Sequence, residues 1–432
     1  MSSVDGPGTL PRIFAGVRTQ GPMTLSRHLR IHGALPTFDH RDAASGLLDE
    51  LERSGLRGRG GAGFPIAIKL RAAAASRGRA IVVANGCEGE PASQKDRLLL
   101  ERLPHLVLDG SLLAARAIGA GEVVIAADES DRHAVRALDR ALRERTYLPQ
   151  AGPPIRLIPV PRGYVSGQET AVVNFLNGGP AKPTATPPPI YERGVKGRPT
   201  LVNNVETLAH VALIARHGAR WFRELGTHAE PGSILVTLTG AISHPGVFEI
   251  ESGASVASLM NAAGGPTSPL RALLLGGYAG TWVPAGIGDD LALSSDGLVN
   301  VGASLGAGIV FALPASACAV AEITHVARWL AGQSAGQCGP CVNGLDAIAT
   351  ALERLRSGAG DELALARISR WAALTSGRGA CAHPDGVGRF VASAIGVFAS
   401  ELAAHARRGP CRACLQPRLL TTPFAPSRRA AA

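Results

Sequence analysis

The sequence predicts an α/β domain followed by a small β-grasp-sized module and an all-α bundle. Three observations predict it. Short apolar strands alternate with amphipathic helices up to about residue 225, a strand–turn–strand–helix pattern fills the stretch to about 313, and only helical patterns follow. The expected divisions are an N-terminal segment 1–45, an α/β domain 46–227, a β-grasp module 228–313, a four-helix bundle 314–408 and a loose tail 409–432. At 432 residues and 46% hydrophobic content the chain has the length for several cores and the side chains to fill them.

Residues 1–45 are mixed in character and read as irregular. LLDELERSG reads as a helix ending at Gly55, and AIVVAN (80–85) and EVVIAA (122–127) as short buried strands. DRHAVRALDRALRER (131–145) places apolar residues at helical spacing. GGPAKPTATPPP (178–189) is too rich in proline for a helix or central strand and reads as an extended surface segment. SILVTLTGAISHPGVFEIESG reads as two strands around a Gly/His-Pro turn, and ASVASLMNAAGG as a short helix closed by glycines. AVAEITHVARWLAG, GLDAIATALERLRSG, ELALARISRWAALTSG and VGRFVASAIGVFASELAAHARR are four helices, enough for a bundle. The uncharged stretch Gly297–Ala321 has the length of a membrane span, but Asn300, Pro314 and its glycines favour a strand followed by a helix start.

The net charge of +10 admits nucleic acid, an anionic surface or an acidic partner. Aromatics total only 4% and no basic stripe is interleaved with them, which argues against nucleic acid. The arginines near the C-terminus (Arg407, Arg408, Arg412, Arg418, Arg428, Arg429) read as a solvated tail. The opening MSSVDGPGTLPRIF has no apolar core of a signal peptide. Seven cysteines, with two C-x-x-C pairs, point to metal or cluster chemistry in a reducing compartment, the cytoplasm, without direct membrane insertion.

GLRGRGGAGFP (55–65) contains a G-x-G-x-x-G match at Gly58, Gly60 and Gly63, but a helix precedes it where the dinucleotide fingerprint needs a strand. What survives is a glycine backbone able to approach a flat or phosphorylated ligand ahead of a helix N-terminus, with Phe64 offering a stacking face and Lys69 a cation. A flexible turn is the plainer alternative. NGCEGEPASQKDR groups Asn85, Glu88, Glu90, Lys95, Asp96 and Arg97 at the end of an apolar strand, where open α/β sheets place ligands or, more simply, a solvated loop. GYVSGQETAVVNFL puts Tyr164, Gln168 and Glu169 at a helix mouth, as site residues or as caps. Asn203 and Asn204 in TLVNNVETL suit a phosphate or a ring edge; N-capping by one of them is the alternative.

Cys338 and Cys341 precede a helix, and Cys381 lies 40 residues further on before the last helix. In a bundle three thiolates at helix ends converge, and such soft donors select zinc or an iron–sulfur cluster. Cys411 and Cys414 allow a rival four-thiolate zinc site with Cys338 and Cys341. Cys87 and Cys318 read as buried structural thiols.

In these motifs and their order the chain resembles the NADH-binding flavoprotein subunit of respiratory complex I and its relatives in soluble hydrogenases and formate dehydrogenases. SGLRGRGGAGFP, E-x-E-P…KDR, GYxxGxETA, TLVNNVETLA, PGVFE and GQCxPCxxG…C span roughly residues 46–400. The resemblance implies a Rossmann-like FMN domain, a soluble-ligand-binding β-grasp (SLBB) domain and a helical iron–sulfur domain. It implies hydride passing from NAD(P)H to FMN and single electrons to a cluster and a thioredoxin-like 2Fe-2S ferredoxin partner. By position, FMN would meet Gly58, Gly60, Lys69, Asn85, Asn203 and Asn204, with Tyr164 nearby. The nucleotide would meet Phe64, Glu90 and Glu169, and Cys338, Cys341 and Cys381 would hold the cluster, 4Fe-4S in the family.

The chain departs from that pattern. The first cysteine of the family's C-x-x-C-x-x-C is Ala335, which leaves open Ser334, Cys411 or Cys414 as substitute ligand, a three-iron cluster, or no cluster. Ala72 and Pro189 stand where relatives look aromatic, Thr186 where they carry lysine, Gln168 at the first acid of G-E-E and Cys87 at an Asp position. At roughly 1 kcal/mol per aromatic contact, these losses weaken nucleotide binding more than flavin binding. The alternatives are a degenerate scaffold that only docks a partner, or a flavoprotein using another electron donor.

Overall fold

The computed structural model describes residues 10–17, 21–36, 41–146, 152–185, 187–360 and 363–423, with 41–45 as backbone alone. The first half is built on four parallel strands, β1 (Ile81–Gly86), β2 (Glu122–Asp128), β3 (Ile155–Val160) and β4 (Thr200–Asn204), in the order β3-β2-β1-β4. Around them lie α1 (Leu25–His32), α2 (Arg41–Ser54), α3 (Ile66–Ala75), α4 (Lys95–Arg102), α5 (Pro104–Ala117), α6 (Arg132–Arg145), α7 (Glu169–Leu176) and α8 (Val205–Phe222).

Alternate residues of the strands enter different cores. Val82, Val123 and Ile125 face the layer of α5 and α8, while Ile81, Val83 and Val124 face Val172 and Val173 of α7. A parallel sheet covered on both faces needs such uninterrupted apolar runs. Polar residues at the carboxyl ends of β1 and β4 therefore emerge together at one edge.

A five-stranded mixed sheet follows, order β6-β5-β9-β7-β8, from β5 (Ser233–Gly240), β6 (Gly246–Glu251), β7 (Leu270–Leu275), β8 (Thr281–Pro284) and β9 (Ile309–Pro314). Its short helices are α9 (Val256–Ala262), α10 (Ala285–Gly288) and α11 (Ser295–Val299). One sheet face, with Val236, Phe248 and Val310, closes on Leu259 of α9; the other, with Leu274, Trp282 and Phe311, shares a core with the helical bundle. Trp282 meets Phe311 and Phe398 edge-to-face at 6.3 and 5.3 Å between ring centroids.

The bundle is α12 (Ala319–Gly332), α13 (Leu345–Arg356), α14 (Ala364–Thr375) and α15 (His383–Arg408). By length and composition α15 is apolar enough to cross a membrane, yet its Phe390, Val391, Phe398 and Leu402 are core residues of the bundle.

Two expectations need correction. The segment before residue 45 contains α1, and the backbone N–H groups of Arg12, Ile13 and Phe14 all donate to the buried Glu249 carboxylate at 3.0, 2.9 and 3.0 Å. Buried charge demands such donors, which order the segment. The tail is not loose over its described part: Leu420 is 1% exposed, and the Leu419 and Leu420 N–H groups donate to Glu322 of α12 at 3.1 and 2.9 Å. Thr186, Arg428 and Arg429 lie outside the described residues.

Candidate functional site

A cleft of about 560 Å³ opens where the carboxyl edge of the parallel sheet meets the β-grasp module and the start of α15. Gly58, Gly60, Phe64, Lys69, Asn85, Glu90, Tyr164, Glu169, Asn203 and Asn204 all line it, and so does Cys381. The glycine loop is folded onto itself, with the Gly58 N–H donating to Phe64 O at 2.9 Å and Arg57 paired with Pro65. Gly61 and Gly63 have φ of +105° and +61°, conformations that L side chains resist. A Cβ on Gly60 would lie 3.3 Å from the Asn204 Cβ, so the bare backbone is what lets loop and strand end meet. Arg59 anchors the loop: its N–H donates to Thr207 Oγ1 at 2.8 Å and its guanidinium to the carbonyls of Pro231 and Ser233. Phe64 is half-exposed at the loop's end.

The asparagines divide their work. Asn204 caps α8, accepting from the Glu206 N–H at 3.0 Å, and donates to Asp96 at 2.6 Å. Asn85 donates to Gly167 O at 2.8 Å and accepts from the Cys87 N–H at 3.2 Å, shaping the loop after β1. Asn203 is buried and its Nδ2 has no partner among the described residues. An orphaned buried donor facing a cleft is the mark of a missing acceptor. Lys69 and Glu169 form an ion pair at 2.5 Å, and Lys69 also donates to Val202 O at 2.6 Å. Gln168, in place of an acid, caps α7 through the Thr170 and Ala171 N–H groups at 2.7 and 3.0 Å.

Glu88 is structural: it accepts from Ser93 and from the N–H groups of Asp96 and Arg97 at the start of α4. Glu90 differs. Its Oε2 accepts from the Tyr278 N–H at 2.9 Å; Oε1 is buried without a well-formed hydrogen bond among the described residues, although the Tyr164 hydroxyl and the Ala92 N–H face the carboxyl. Burial pushes its carboxyl up to about 8, so it is largely protonated at neutral pH. Burial and the facing Glu90 raise the Tyr164 phenol as well. Burial opposes the charge on Lys95, but Asp96 at 2.8 Å and Glu206 at 2.9 Å outweigh it and keep the ammonium charged.

The cleft also contains residues that no motif announced. Gly276 and Gly306 bring two β-grasp turns into contact, and Arg389 of α15 adds an exposed guanidinium that donates to Ala279 O at 3.0 Å. The glycines at 276–277 and 302–308 were a readable signal; an isolated arginine inside a helix was not.

Of the three thiols expected to hold a cluster, Cys381 lines the cleft, and among the described residues the three do not form a group with sulfurs all within 4.8 Å of one another. Cys338 and Cys341 are hydrogen-bonded to each other, Cys381 lies within electrostatic reach of Cys341, and the Ser334 side chain also bonds Cys341. Burial works against ionisation of Cys338, but the N–H groups of Ala380 and Cys341 lower its thiol overall. Cys411 and Cys414 are elsewhere, with Cys414 Sγ 3.3 Å from Cys318 Sγ and 3.9 Å from Cys411 Sγ. This overturns the zinc site of Cys338, Cys341, Cys411 and Cys414 and removes both tail thiols as substitute cluster ligands. The reason is topological: Cys338 and Cys381 sit near the end of α12 and the start of α15, and the tail returns to the start of α12, roughly 20 Å away at 1.5 Å per residue. Cys318 is therefore no isolated structural thiol. Cys87 lines the cleft, its thiol held neutral by burial. Ala72 and Pro189 do not line it.

Comparison with known proteins accords with these three parts. Residues 51–213 match the Nuo51 FMN-binding domain, 235–277 the SLBB domain and 321–405 the NADH-ubiquinone oxidoreductase-F iron-sulfur binding region. The F 2 subunit of NADH-quinone oxidoreductase in Rhizobium meliloti (strain 1021) is 32% identical over 378 residues, covering 84% of this chain and 90% of that protein. The corresponding F-type subunit of Escherichia coli (strain K12) is 31% identical over 381 residues, covering 83% and 84%. Among solved structures, a chain of the NAD+-reducing [NiFe]-hydrogenase in the H2-reduced state matches with TM-score 0.80 and 32% identity, over 84% of this chain and 63% of that one. The air-oxidized state matches with TM-score 0.82 and 30% identity, over 97% and 69%. This chain thus spans less than two thirds of the first hydrogenase chain.

Proposed function

The chain belongs to the family of F-type subunits of NADH-quinone oxidoreductases, and on that premise we propose how its own residues do the family's work. It is an NADH dehydrogenase-like oxidoreductase that oxidises NADH through FMN and an iron–sulfur cluster and passes electrons to partner subunits. The carrying observation is that one cleft is lined by the glycine loop, the unpaired amide of Asn203 and the thiol-bearing residue Cys381. The residues fit FMN: a Cβ-free cradle at Gly58 and Gly60, an orphaned donor and the Lys69 cation at its edge. FMN, when bound, supplies the conversion between hydride and single-electron chemistry.

Phe64 gives a half-exposed ring for stacking at the mouth. Protonated Glu90 offers an O–H donor toward the cleft from Oε1, where a carboxylate would repel an anionic nucleotide. Lys69 and Glu169 neutralise each other until a ligand separates them, and Tyr164 packs the floor between Glu90 and His383, its ring 5.3 Å from the imidazole. Cys338, Cys341 and Cys381 are the cluster ligands in this reading, with Ser334 as the fourth donor in place of the missing cysteine at Ala335.

The division into 46–227, 228–313 and 314–408 is proposed as the domain structure. A thioredoxin-like 2Fe-2S ferredoxin subunit is the proposed acceptor, docking over Cys338, where Val342 is 57% exposed. The proposed location is the cytoplasm, at the membrane only through partners. Anaerobic purification with flavin and iron assay, followed by NADH addition, tests this. Bound flavin, bound iron and bleaching of the flavin band are expected. Protein without either cofactor would leave only a partner-docking scaffold, and flavin that bleaches with neither NADH nor NADPH would reject the donor.

A further inference from the structure

The tail does more than cover the bundle. Cys318, His405, Cys411 and Cys414 bring four ligand atoms within 4.8 Å of one another, and among the described residues this group contains none of Cys338, Cys341 and Cys381. Cys414 Sγ is 3.3 Å from Cys318 Sγ and 3.9 Å from Cys411 Sγ, and His405 Nε2 is 3.6 Å from Cys318 Sγ. A tetrahedral zinc with bonds of about 2.3 Å to sulfur and about 2.0 Å to nitrogen places its ligands roughly 3.5–3.8 Å apart. Three of the four are buried, and Cys411 alone reaches the surface. We propose that these residues hold a single closed, structural zinc ion that staples the tail to both ends of the bundle's longest path, the start of α12 and the end of α15.

The donor set selects the ion. Three thiolates and an imidazole are a structural zinc set, and four ligands leave no open position for catalysis. The spacing within 4.8 Å suits one ion better than a polynuclear cluster, whose terminal ligands sit on different metals. Supporting contacts orient the ligands: Cys318 caps α12, its Sγ accepting from the Ala321 N–H at 3.4 Å, and the Cys414 N–H donates to Cys411 O at 3.0 Å. Both contacts favour ligating geometry. Cys318, Cys411 and Cys414 also lie outside the matched iron–sulfur region 321–405. Beyond the staple, Tyr278 donates its hydroxyl to Thr421 O, and its N–H holds Glu90. The ion thus fixes the turn between β7 and β8 that braces one wall of the cleft.

The test is metal analysis of the full chain purified anaerobically from zinc-supplemented cells. About one zinc per chain beyond the iron is expected, with a zinc-edge X-ray absorption spectrum of three sulfurs at about 2.3 Å and one nitrogen at about 2.0 Å. Replacing Cys411 and Cys414 by serine together should remove zinc while iron and flavin stay; Cys338→Ser should lower iron while zinc stays. The absorption spectrum on the unaltered chain needs no variant to fold. Absence of zinc, a spectrum with two or fewer sulfurs, iron lost in place of zinc from the double variant, or a Cys411–Cys414 disulfide in the anaerobic protein would overturn the assignment.

Discussion

Glu90 and Asn203 are among the cleft-lining residues, with Arg59 and His383, that keep a buried polar atom without a well-formed hydrogen bond among the described residues. Glu90 has its folded-state pKa raised to about 8, so the folded chain binds a proton there that an unfolded chain releases near pH 4. Its stability contribution is therefore greatest at low pH and declines until the folded carboxyl has ionised. Glu90→Gln removes that decline: its melting temperature should pull ahead of the parent as pH rises from about 4 to about 8 and then level off. The same variant keeps a donor in the cleft, so NADH should still reduce the flavin, with weaker dependence on pH around 8. Asn203→Ala should weaken FMN retention about tenfold in a fluorescence titration, the worth of one buried hydrogen bond, and leave the melting temperature of the flavin-free protein nearly unchanged. Asn204→Ala should instead lower stability, because that side chain caps α8.

At the scale of elements, helix packing sets a hard limit at Gly110. A Cβ there would lie 1.8 Å from Leu208 O, so α5 and α8 touch backbone to backbone. Gly110→Ala should cost about 3 kcal/mol or more, measurable by denaturant unfolding, whereas Gly46→Ala, within α2 and with open space around it, should stabilise by about 0.5–1 kcal/mol. Elements with uniform chemistry were legible from sequence. The apolar runs of β1 and β2 and the 3.6-residue periodicity of the four bundle helices correspond to strands and helices in the structure. α1 escaped because its buried face carries His28 and His32, the former bonded to Asp109 at 2.8 Å, so hydrophobic periodicity had nothing to register. The tail escaped for a related reason. Its partners, Cys318 and Glu322, are 96 and about 97 residues back along the chain, and a lone C-x-x-C does not name its other ligands. The glycine loop and the asparagine turn were readable as site elements, whereas which asparagine capped a helix depended on backbone geometry. At the altered cluster motif, Ala335→Cys should increase iron per chain and slow its loss in air, scored by iron assay after timed exposure.

Across the whole molecule, the second sheet is the shared wall: its far face serves its own helices and its near face completes the bundle core. Trp282 sits at that junction, 2% exposed, against Phe311, Phe390 and Phe398. Trp282→Ala should lower global stability by about 3–5 kcal/mol and uncouple the bundle, seen as a second transition in calorimetry. The Rossmann-like half is tied in by charge: Glu206 of α8 accepts from the Leu235 N–H of β5 at 2.9 Å and pairs with Lys95.

The cleft's lining runs from Gly58 to Arg389, drawing on all three parts of the chain. On the ribosome, a growing chain that has emerged only as far as the second sheet owns the glycine cradle but lacks the opposite wall. The proposed cluster ligands Cys338, Cys341 and Cys381 emerge later still, so cells starved of iron should accumulate a full-length protein that lacks its cluster.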